Sequence, residues 1–561
     1  MVDEAERTGL ETPRGDTDSS DLAQFGYHQQ LRRRLGQFSS FASSFSYISP
    51  STGIFTLFAL GLGTIGGIFI WSWPMVGIGQ LIVAIGFAEL ASQYPVAGSV
   101  FQWTKYLAAK SYAWFDGWLY LFAGVLTTTA VVATIPLALI PAFDSMGWNL
   151  ADSLTNQRYV ALITLFLITV INIGGVRLAT IINNAGVFFE VVGMVVFAII
   201  LLVAHHHQSA AVVFHSGGAP VHFSTFFLAA FMSLFVIYGM DTASTLAEET
   251  HDPRRKAPRA VISSVVGAFI IGAIFLVAVL VSIPNLASAV KHGLGPAQII
   301  LANLPGNLGS AYLMVVSAAV FVCCLVIEAA TIRLAFGMSR DRQLPGSAGL
   351  KLVSRRLGTP WVASIVVACL AAIPFIQYAG AGFIAIAASG MIYLCYVLAN
   401  LAVLRARVKG WPQQKAPFKL GRWGIPITVL SLIWGIGMLV NFAWPRVASN
   451  PTPDQTNHLL DFKVSWINHI PVLWTVVIGL SIVGAIYYLA VGRRRAVIRH
   501  SPGLLAGQDA RPATEGSLSL ATSPAGIGTP AGGTPAGGPP AGGPPAGEPP
   551  ILGDGAPEPG S

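Results

Sequence analysis

Long apolar runs separated by short polar segments recur along most of this chain. Each run is about twenty residues or longer, which as a helix is enough to cross the hydrocarbon core of a bilayer. The pattern therefore predicts an all-α polytopic membrane protein with about twelve transmembrane helices. The predicted spans are residues 38–70, 71–94, 113–140, 159–174, 180–204, 224–248, 260–283, 310–338, 361–378, 382–404, 425–444 and 471–491.

Composition agrees with this pattern, because 53% of the 561 residues are hydrophobic and only 10% are charged. Soluble domains carry about 25% charged residues. Three consecutive histidines, residues 205–207, lie alone at the end of a span, so we expect a solvated loop there and predict no metal and no cofactor. The cysteines fall inside spans and are predicted to be small buried side chains: Cys323, Cys324, Cys369 and Cys395.

The net charge of +8 reflects a topology signal rather than a nucleic-acid surface. Basic residues concentrate in every second connection between apolar runs, as they do in the cytoplasmic loops of membrane proteins. Both termini are therefore predicted to be cytoplasmic, in a cell (plasma) membrane protein. The basic connections hold Arg32 to Arg34, Lys105 and Lys110, Arg177, Arg254 to Lys256 with Arg259, and residues 340–356, 405–422 and 493–495; the others hold Arg158, Lys291, Arg446 and Lys463.

The two ends of the chain differ from its apolar middle. Residues 1–37 are mostly polar and are predicted to form a disordered cytoplasmic tail, too polar for a signal peptide. Residues 496–561 are rich in Pro, Gly and Ala with few large apolar residues, which also predicts a disordered cytoplasmic tail. Residues 38–495 form the predicted transmembrane domain.

The first span is interrupted in its middle, at Ser49-Pro50-Ser51-Thr52-Gly53. Pro50 has no backbone N–H and disfavours a helical conformation for the residue before it. A break at this depth is tolerated in a membrane only where it lines a cavity or contacts neighbouring protein. Many transporters build a substrate site in this way, and a plain proline kink is the alternative.

The sixth span has a matching interruption, with Gly239 in mid-span and the ionisable Asp241 beside it. The half-helix that starts near Gly53 points free N–H groups at the break, which suits a carboxylate. Carbonyl groups left open near Ile237 and Tyr238 can accept hydrogen bonds from an ammonium group. Together these predict a site for a zwitterion, formed by Ser49, Ser51, Thr52, Gly53, Ile237, Tyr238, Gly239 and Asp241.

Short motifs in and beside several spans match one group of transporters in combination. They are residues 51–55 (STGIF), 88–95 (AELASQYP) with Gly98 and Trp103, 174–177 (GGVR), 182–184 (INN), 239–244 (GMDTAS), 247–250 (AEET), 252–255 (DPRR), 257–260 (APRA), Arg333, 339–341 (SRD) and 344–345 (LP). Over about residues 38–491 the chain resembles the amino acid–polyamine–organocation superfamily, particularly its amino acid/choline, GABA permease-like branch.

The resemblance implies a LeuT-like fold with a five-plus-five inverted repeat, in which the first and sixth spans are discontinuous. The repeats would cover about residues 38–206 and 223–405, with extra spans at about 424–491. Phe235 stands where relatives carry an aromatic gate over the substrate. Glu190 stands where some proton-coupled relatives carry a lysine. The chain departs from the family at Ser51, which replaces a glycine of the usual first-span loop, and at Glu190 itself.

These features predict a permease that imports an amino acid or GABA-like zwitterion by alternating access. The predicted coupling ion is a proton in preference to sodium, and Glu190 is the proton-coupling candidate. A permanently protonated, structural Glu190 is the alternative. Asp241 either contacts a substrate amine or caps the second half of its span. Three alternative functions stay open: a choline or polyamine permease, an uncoupled amino acid exchanger, and a nutrient sensor that does not transport. An enzyme is not predicted, because no nucleophile has a partnered base. Substrate identity and oligomeric state stay undetermined.

Overall fold

A computed structural model of the protein describes residues 14–304, 307–378, 380–412, 416–446 and 471–492. The predicted tail at residues 496–561 lies outside the described residues. The described part is helical and contains no β-strand. This agrees with the all-α class predicted from the apolar runs.

Nine helical segments of the described chain are long and apolar enough to cross a membrane, and the first of them, Gln37–Gln93, contains both the first and the second predicted spans. Two shorter apolar helices, Phe223–Val236 and Trp361–Gln377, belong to the sixth and ninth spans. Together these segments account for the twelve predicted spans.

The spans are numbered here in chain order. They are span 1, Gln37–Ile48 and Pro50–Ile65; span 2, Ser72–Gln93; span 3, Lys110–Val132 and Ile135–Ser145; span 4, Leu154–Gly174; span 5, Val176–Ala204; span 6, Phe223–Ala229, Phe231–Val236 and Thr242–Thr245; span 7, Pro253–Val281; span 8, Leu308–Arg340; span 9, Trp361–Ala372; span 10, Ala381–Val408; span 11, Gly424–Ala443; and span 12, Val472–Tyr487. Short helices outside the spans are Arg14–Ala23, Ser99–Leu107, Leu286–His292, Pro296–Asn303 and Ser347–Leu350.

The spans differ in how much of their surface is covered by protein. Spans 3, 8 and 10 are largely buried, whereas spans 4, 5, 11 and 12 expose apolar side chains. Phe166, Phe189, Ile433 and Ile482 are examples, each more than half exposed. In water such a surface would be costly, so these faces are the ones that contact lipid tails.

The interior spans pack in a regular set of pairs. Span 7 packs against spans 1 and 2, span 3 against span 10, and span 8 against spans 3 and 5. The second half of span 1 lies against the first half of span 6. These contacts place the two interrupted spans next to each other, inside a scaffold formed by spans 3, 8 and 10.

The prediction of a disordered tail over residues 1–37 is wrong for residues 14–37. A helix covers Arg14–Ala23, and Leu22, Phe25, Leu31 and Leu35 are at most 3% exposed. The N–H groups of Arg34 and Leu35 donate to the carbonyl of Glu249 at 2.8 and 2.9 Å. The segment is polar on average, so its composition did not indicate that these four apolar side chains would be buried. Their burial offsets the conformational entropy that is lost when the segment becomes ordered.

Candidate substrate site at the two interrupted spans

The interruption of span 1 lies at Ser49, as the sequence predicts. Ser49 has φ 33° and ψ 88°, in the left-handed region, and the second half of the span begins at Pro50. Its hydroxyl lies 2.7 Å from the Thr52 hydroxyl and accepts the Thr52 N–H at 3.4 Å. Proline at the first position has no N–H to lose and favours this helix start.

Glu190 of span 5 lies directly against this break. Its Oε1 accepts hydrogen bonds from the hydroxyls of Ser49 at 2.7 Å and Ser51 at 2.6 Å, and from the Ser51 N–H at 3.4 Å. The residue is 3% exposed. A protein carboxylate thus occupies the position at a helix N-terminus where the sequence predicts the carboxylate of a substrate.

Span 6 breaks at the height of the same site. Its helix ends at Val236, Gly239 has φ +86°, and helix resumes at Thr242. A Cβ at Gly239 would lie 1.8 Å from a ring carbon of Tyr47, so this position requires glycine for both its conformation and its close packing. The carbonyl groups of Ile237 and Tyr238 lie within the interruption.

The two breaks contact each other through small residues and aromatic rings. A Cβ at Gly53 would lie 2.3 Å from Val236 Cγ2, so Gly53 lets the two half-helices approach. The ring of Tyr238 is edge-on to those of Tyr47 at 6.2 Å and Phe235 at 5.9 Å. Phe235 therefore lies beside the breaks, where an aromatic gate is expected from the family resemblance.

Asp241 lies in a separate polar cluster beside the span 6 break. Its carboxylate accepts from the Ser99 hydroxyl at 2.6 Å and from the hydroxyls of Tyr120 and Tyr396. Asp241 stands at the N-cap position of the helix Thr242–Thr245, but its side chain makes no capping hydrogen bond. The Tyr396 hydroxyl also accepts the Gly239 N–H at 3.0 Å, which ties Asp241 to the broken backbone.

The predicted site is closed on all sides in this conformation. Among the predicted binding residues, the most exposed side chain is that of Phe235, at 4%. Ser49, Ile237 and Asp241 are 0% exposed. A substrate held between the two breaks would be out of contact with water on both sides of the membrane.

Comparison with known proteins identifies the family to which this geometry belongs. A family model described as amino acid permease matches residues 35–460. The chain belongs to the amino acid permease family. The permease is thus a member of the amino acid–polyamine–organocation superfamily and a multi-pass membrane protein that transports amino acids.

Named relatives of the permease are transporters, which agrees with the prediction of a non-enzyme. Amino-acid permease BAT1 of Arabidopsis thaliana is 25% identical over 474 residues, covering 79% of this chain and 91% of that protein. Its homologue in Oryza sativa subsp. japonica is 26% identical, with 79% and 91% covered. A GABA-specific permease of Saccharomyces cerevisiae is 26% identical, with 63% of this chain and 65% of that protein covered.

A network of ion pairs closes the permease on the face that carries the basic loops. Three buried carboxylates pair with arginines: Glu248 with Arg340 at 2.7 Å, Glu249 with Arg333 at 2.8 Å, and Glu89 with Arg407. Removal of one partner of such a buried pair strongly destabilises the folded protein, because the other charge is left buried and unpaired. The three pairs hold the ends of spans 2, 6, 8 and 10 together beneath the site.

A second group joins the chain before span 1 to this network. Lys105 pairs with Asp341 at 2.6 Å, and both contact the Tyr27 hydroxyl. Burial lowers the pKa of Lys105, and the carboxylate of Asp341 opposes that shift. The Arg340 guanidinium lies 3.8 Å from the centre of the Tyr27 ring. Residues 18–35, named here the N-terminal strap, therefore cross this face of the permease.

Sequence reasoning missed several residues that shape the site. Tyr47, Ser99 and Tyr396 were not predicted to contact the broken backbone or Asp241. Tyr47 and Ser99 stand close to quoted motifs and carried a usable signal. Tyr396 carried none, because it is separated from Asp241 by 155 positions.

Proposed function

We propose that the permease imports an amino acid or a GABA-like zwitterion across the plasma membrane, coupled to protons, by alternating access. The observation that carries this proposal is the contact of Glu190 with Ser49 and Ser51 at the break of span 1. An ionisable group here lies at the position that suits a substrate carboxylate. Substrate binding and protonation of Glu190 are therefore linked.

The linkage follows from charge and from shared hydrogen-bond donors. Two carboxylates about 4 Å apart repel by roughly 4 kcal/mol at an effective dielectric constant of about 20. An ionised Glu190 thus opposes the entry of a substrate carboxylate and holds the donors that it needs. Protonation removes the repulsion and releases Ser49 and Ser51, so that proton and substrate bind together.

The opposite end of the site suits an ammonium group. The carbonyls of Ile237 and Tyr238 lie in the interruption of span 6 and provide acceptors. The rings of Tyr47, Phe235 and Tyr238 surround the same region and offer cation–π contact. The distance between a carboxylate and an amine is then set by the separation of the two breaks. The GABA-specific permease among the relatives supports a GABA-like substrate.

Alternating access is supported by the paired packing of the spans. Span 3 packs on span 10 as span 8 packs on span 5, which is the relation expected of two inverted repeats at about residues 38–206 and 223–405. We propose that the closed site opens to either side as spans 1 and 6 move against spans 3, 8 and 10. The basic loops face the cytoplasm in this arrangement, with both termini on the same side.

A choline or polyamine permease is the second candidate, and the same contact favours it. If Glu190 stays ionised at the break, it neutralises a cation and leaves no donors for a substrate carboxylate. Glu190 would then be a substrate ligand rather than a proton carrier. The two candidates differ in which substrates depend on a proton gradient.

The test is uptake by proteoliposomes of labelled GABA, glutamate, arginine, choline and putrescine, with and without an inward proton gradient. We expect accumulation of a zwitterion to need the gradient, and Glu190→Gln to lose accumulation while it keeps exchange. The matched control is Glu328→Gln, since Glu328 is a buried carboxyl that bonds Thr169 at 2.6 Å and Asn172 at 2.8 Å.

The other outcomes separate the alternatives. Equal accumulation by wild type and Glu190→Gln would make Glu190 structural and end the coupling proposal. Gradient-independent uptake of choline or putrescine that Glu190→Gln abolishes would favour the cation permease. Counterflow without accumulation in wild type would indicate an exchanger, and binding without transport a sensor.

A further inference from the structure

A cavity of about 510 Å³ lies between the N-terminal strap and the segment that joins spans 8 and 9. Its wall includes four basic side chains, those of Arg32, Arg340, Lys351 and Arg355. Gln30 and Ser354 add hydrogen-bonding groups. The described residues that line this cavity include no carboxylate, so it is a concentration of positive charge with polar donors.

The charges in this wall are only partly neutralised by neighbours. Arg340 pairs with Glu248 at 2.7 Å, outside the cavity lining. One nitrogen of Arg32 donates to the backbone carbonyl of Arg356 at 3.3 Å. Lys351 and Arg355 are exposed, with ammonium and guanidinium groups available to an incoming anion. An anion that enters therefore meets Arg32, Lys351 and Arg355, while Arg340 keeps its partner Glu248.

The cavity lies at the height of the membrane surface. Arg32 shortly precedes span 1, Arg340 is the last residue of span 8, and Arg355 shortly precedes span 9. Phe38 and Trp361, at the starts of spans 1 and 9, are 53% and 43% exposed. Exposed aromatic rings at span ends are typical of the lipid–water interface. A phosphate in a lipid headgroup is thus at the right depth to reach these cations.

We propose that this cavity binds a phosphate-bearing anion and that its occupation stabilises the closed conformation of this face. Basic pockets at the ends of transmembrane helices take phospholipid headgroups. The bound anion would bridge Arg32 of the strap to Lys351 and Arg355 of the segment after span 8. The strap is in turn bonded to the carbonyl of Glu249, at the end of the broken span 6. The anion would therefore act on the moving part of the permease.

This inference goes beyond the proposed function and uses it only for the direction of movement. The phosphate group can belong to a lipid headgroup or to a soluble anion, and the arms of the experiment separate these two sources. The binding test below does not depend on transport. A permease that binds the anion but fails the uptake test would refute the proposed function and leave this inference standing.

The experiment uses the full chain in nanodiscs of phosphatidylcholine, with or without a phosphatidylinositol phosphate, and in a third arm with soluble inositol phosphate. Readouts are the apparent melting temperature and the lipids retained in native mass spectrometry. The test variant is Lys351→Gln with Arg355→Gln, both at exposed positions. The control variant is Arg255→Gln with Arg422→Gln, which removes the same charge from exposed positions outside the cavity.

We expect the anionic ligand to raise the melting temperature of wild type and of the control. The test variant should bind about tenfold to thirtyfold more weakly, as the loss of two cations from a phosphate site predicts. Stabilisation by lipid but not by the soluble anion would assign the source to the membrane, and stabilisation by both would assign the phosphate alone. The inference would be overturned if the test and control variants bound the anionic ligand equally well. It would also be overturned if wild type bound neither the lipid nor the soluble anion.

Discussion

At the scale of single residues, the Tyr396 hydroxyl joins two parts of the span 6 interruption. It accepts the Gly239 N–H at 3.0 Å and donates to the Asp241 carboxylate. Gly239 is held at φ +86° against the Tyr47 ring, so the backbone there depends on its neighbours for its conformation. Removal of the hydroxyl leaves the buried N–H of Gly239 without this acceptor and the carboxylate of Asp241 without this donor.

We therefore predict that Tyr396→Phe lowers the stability of the closed site by about 1–3 kcal/mol, because each orphaned buried group costs free energy. Uptake should fall with it. The measurement is the apparent melting temperature together with initial uptake rate. Tyr393→Phe is the matched control, since it removes a buried tyrosine hydroxyl of the same span that is not part of the bridge between Gly239 and Asp241. Similar losses in both variants would show that ring packing matters and the hydroxyl does not.

At the scale of elements, the N-terminal strap holds together the ends of several spans on the face with the basic loops. Arg33 donates to the carbonyl of Thr250 at 2.8 Å, and Arg254 pairs with Asp21 at 3.0 Å. Tyr27 adds contacts to Asp341, Lys105 and Arg340. These contacts join the strap to the ends of spans 6, 7 and 8, and any opening of this face has to break some of them.

Tyr27→Ala should accordingly loosen this face and raise access to the site. Cys323 is a native reporter, because it is 1% exposed and its thiol lies 3.8 Å from the Tyr47 carbonyl at the break. In a background with Cys324, Cys369 and Cys395 replaced, we expect a water-soluble thiol reagent to modify Cys323 several-fold faster in inside-out vesicles of the variant.

The control for this measurement is Phe38→Ala, a truncation of an aromatic side chain that is 53% exposed. It should leave the labelling rate of Cys323 unchanged. An unchanged rate in Tyr27→Ala as well would mean that the strap does not restrain the opening of this face. A faster rate in right-side-out vesicles alone would mean that the strap lies on the outer side.

At the scale of the whole molecule, contacts between distant loops divide the connections into two sets. Three ion pairs join the first set, namely Arg254–Asp21, Lys105–Asp341 and Arg340–Glu248. They connect the N-terminal strap, the helix Ser99–Leu107 between spans 2 and 3, the segment between spans 6 and 7 with the start of span 7, and the end of span 8. On the other face, Gln157 contacts Tyr378 at 3.4 Å, and His207 contacts Asn303 at 2.8 Å. Among the described residues, the basic segments that these three ion pairs join therefore lie on one face.

The orientation of these faces can be measured with single cysteines in a cysteine-free chain. We predict that Arg255→Cys is labelled from the cytoplasmic side and Lys291→Cys from the outside, because loops rich in Lys and Arg stay in the cytoplasm. Both positions are exposed. The test uses an impermeant thiol reagent on intact cells and on inverted vesicles. Labelling of both from the same side would contradict the alternation of spans.

The sequence alone predicted the class of fold, the spans and the two interruptions. These features depend on local properties, namely apolar length, the missing N–H of Pro50 and the conformational freedom of Gly239. Each of these properties is set within a few residues of the chain, so it can be recognised without knowing which spans pack against it. The family could be recognised from the motifs for the same reason, since each motif is a short continuous stretch of the chain.

Only the tertiary structure decided which groups meet at the breaks. The position of Glu190 in mid-span was evident from its sequence, yet its hydrogen bonds to Ser49 and Ser51 depend on how span 5 packs on span 1. The same holds for Asp241, whose partners come from three other elements, and for the strap, whose few apolar anchors find their sites only on the folded bundle. Contacts between residues far apart in the chain are set by packing, which no local pattern records.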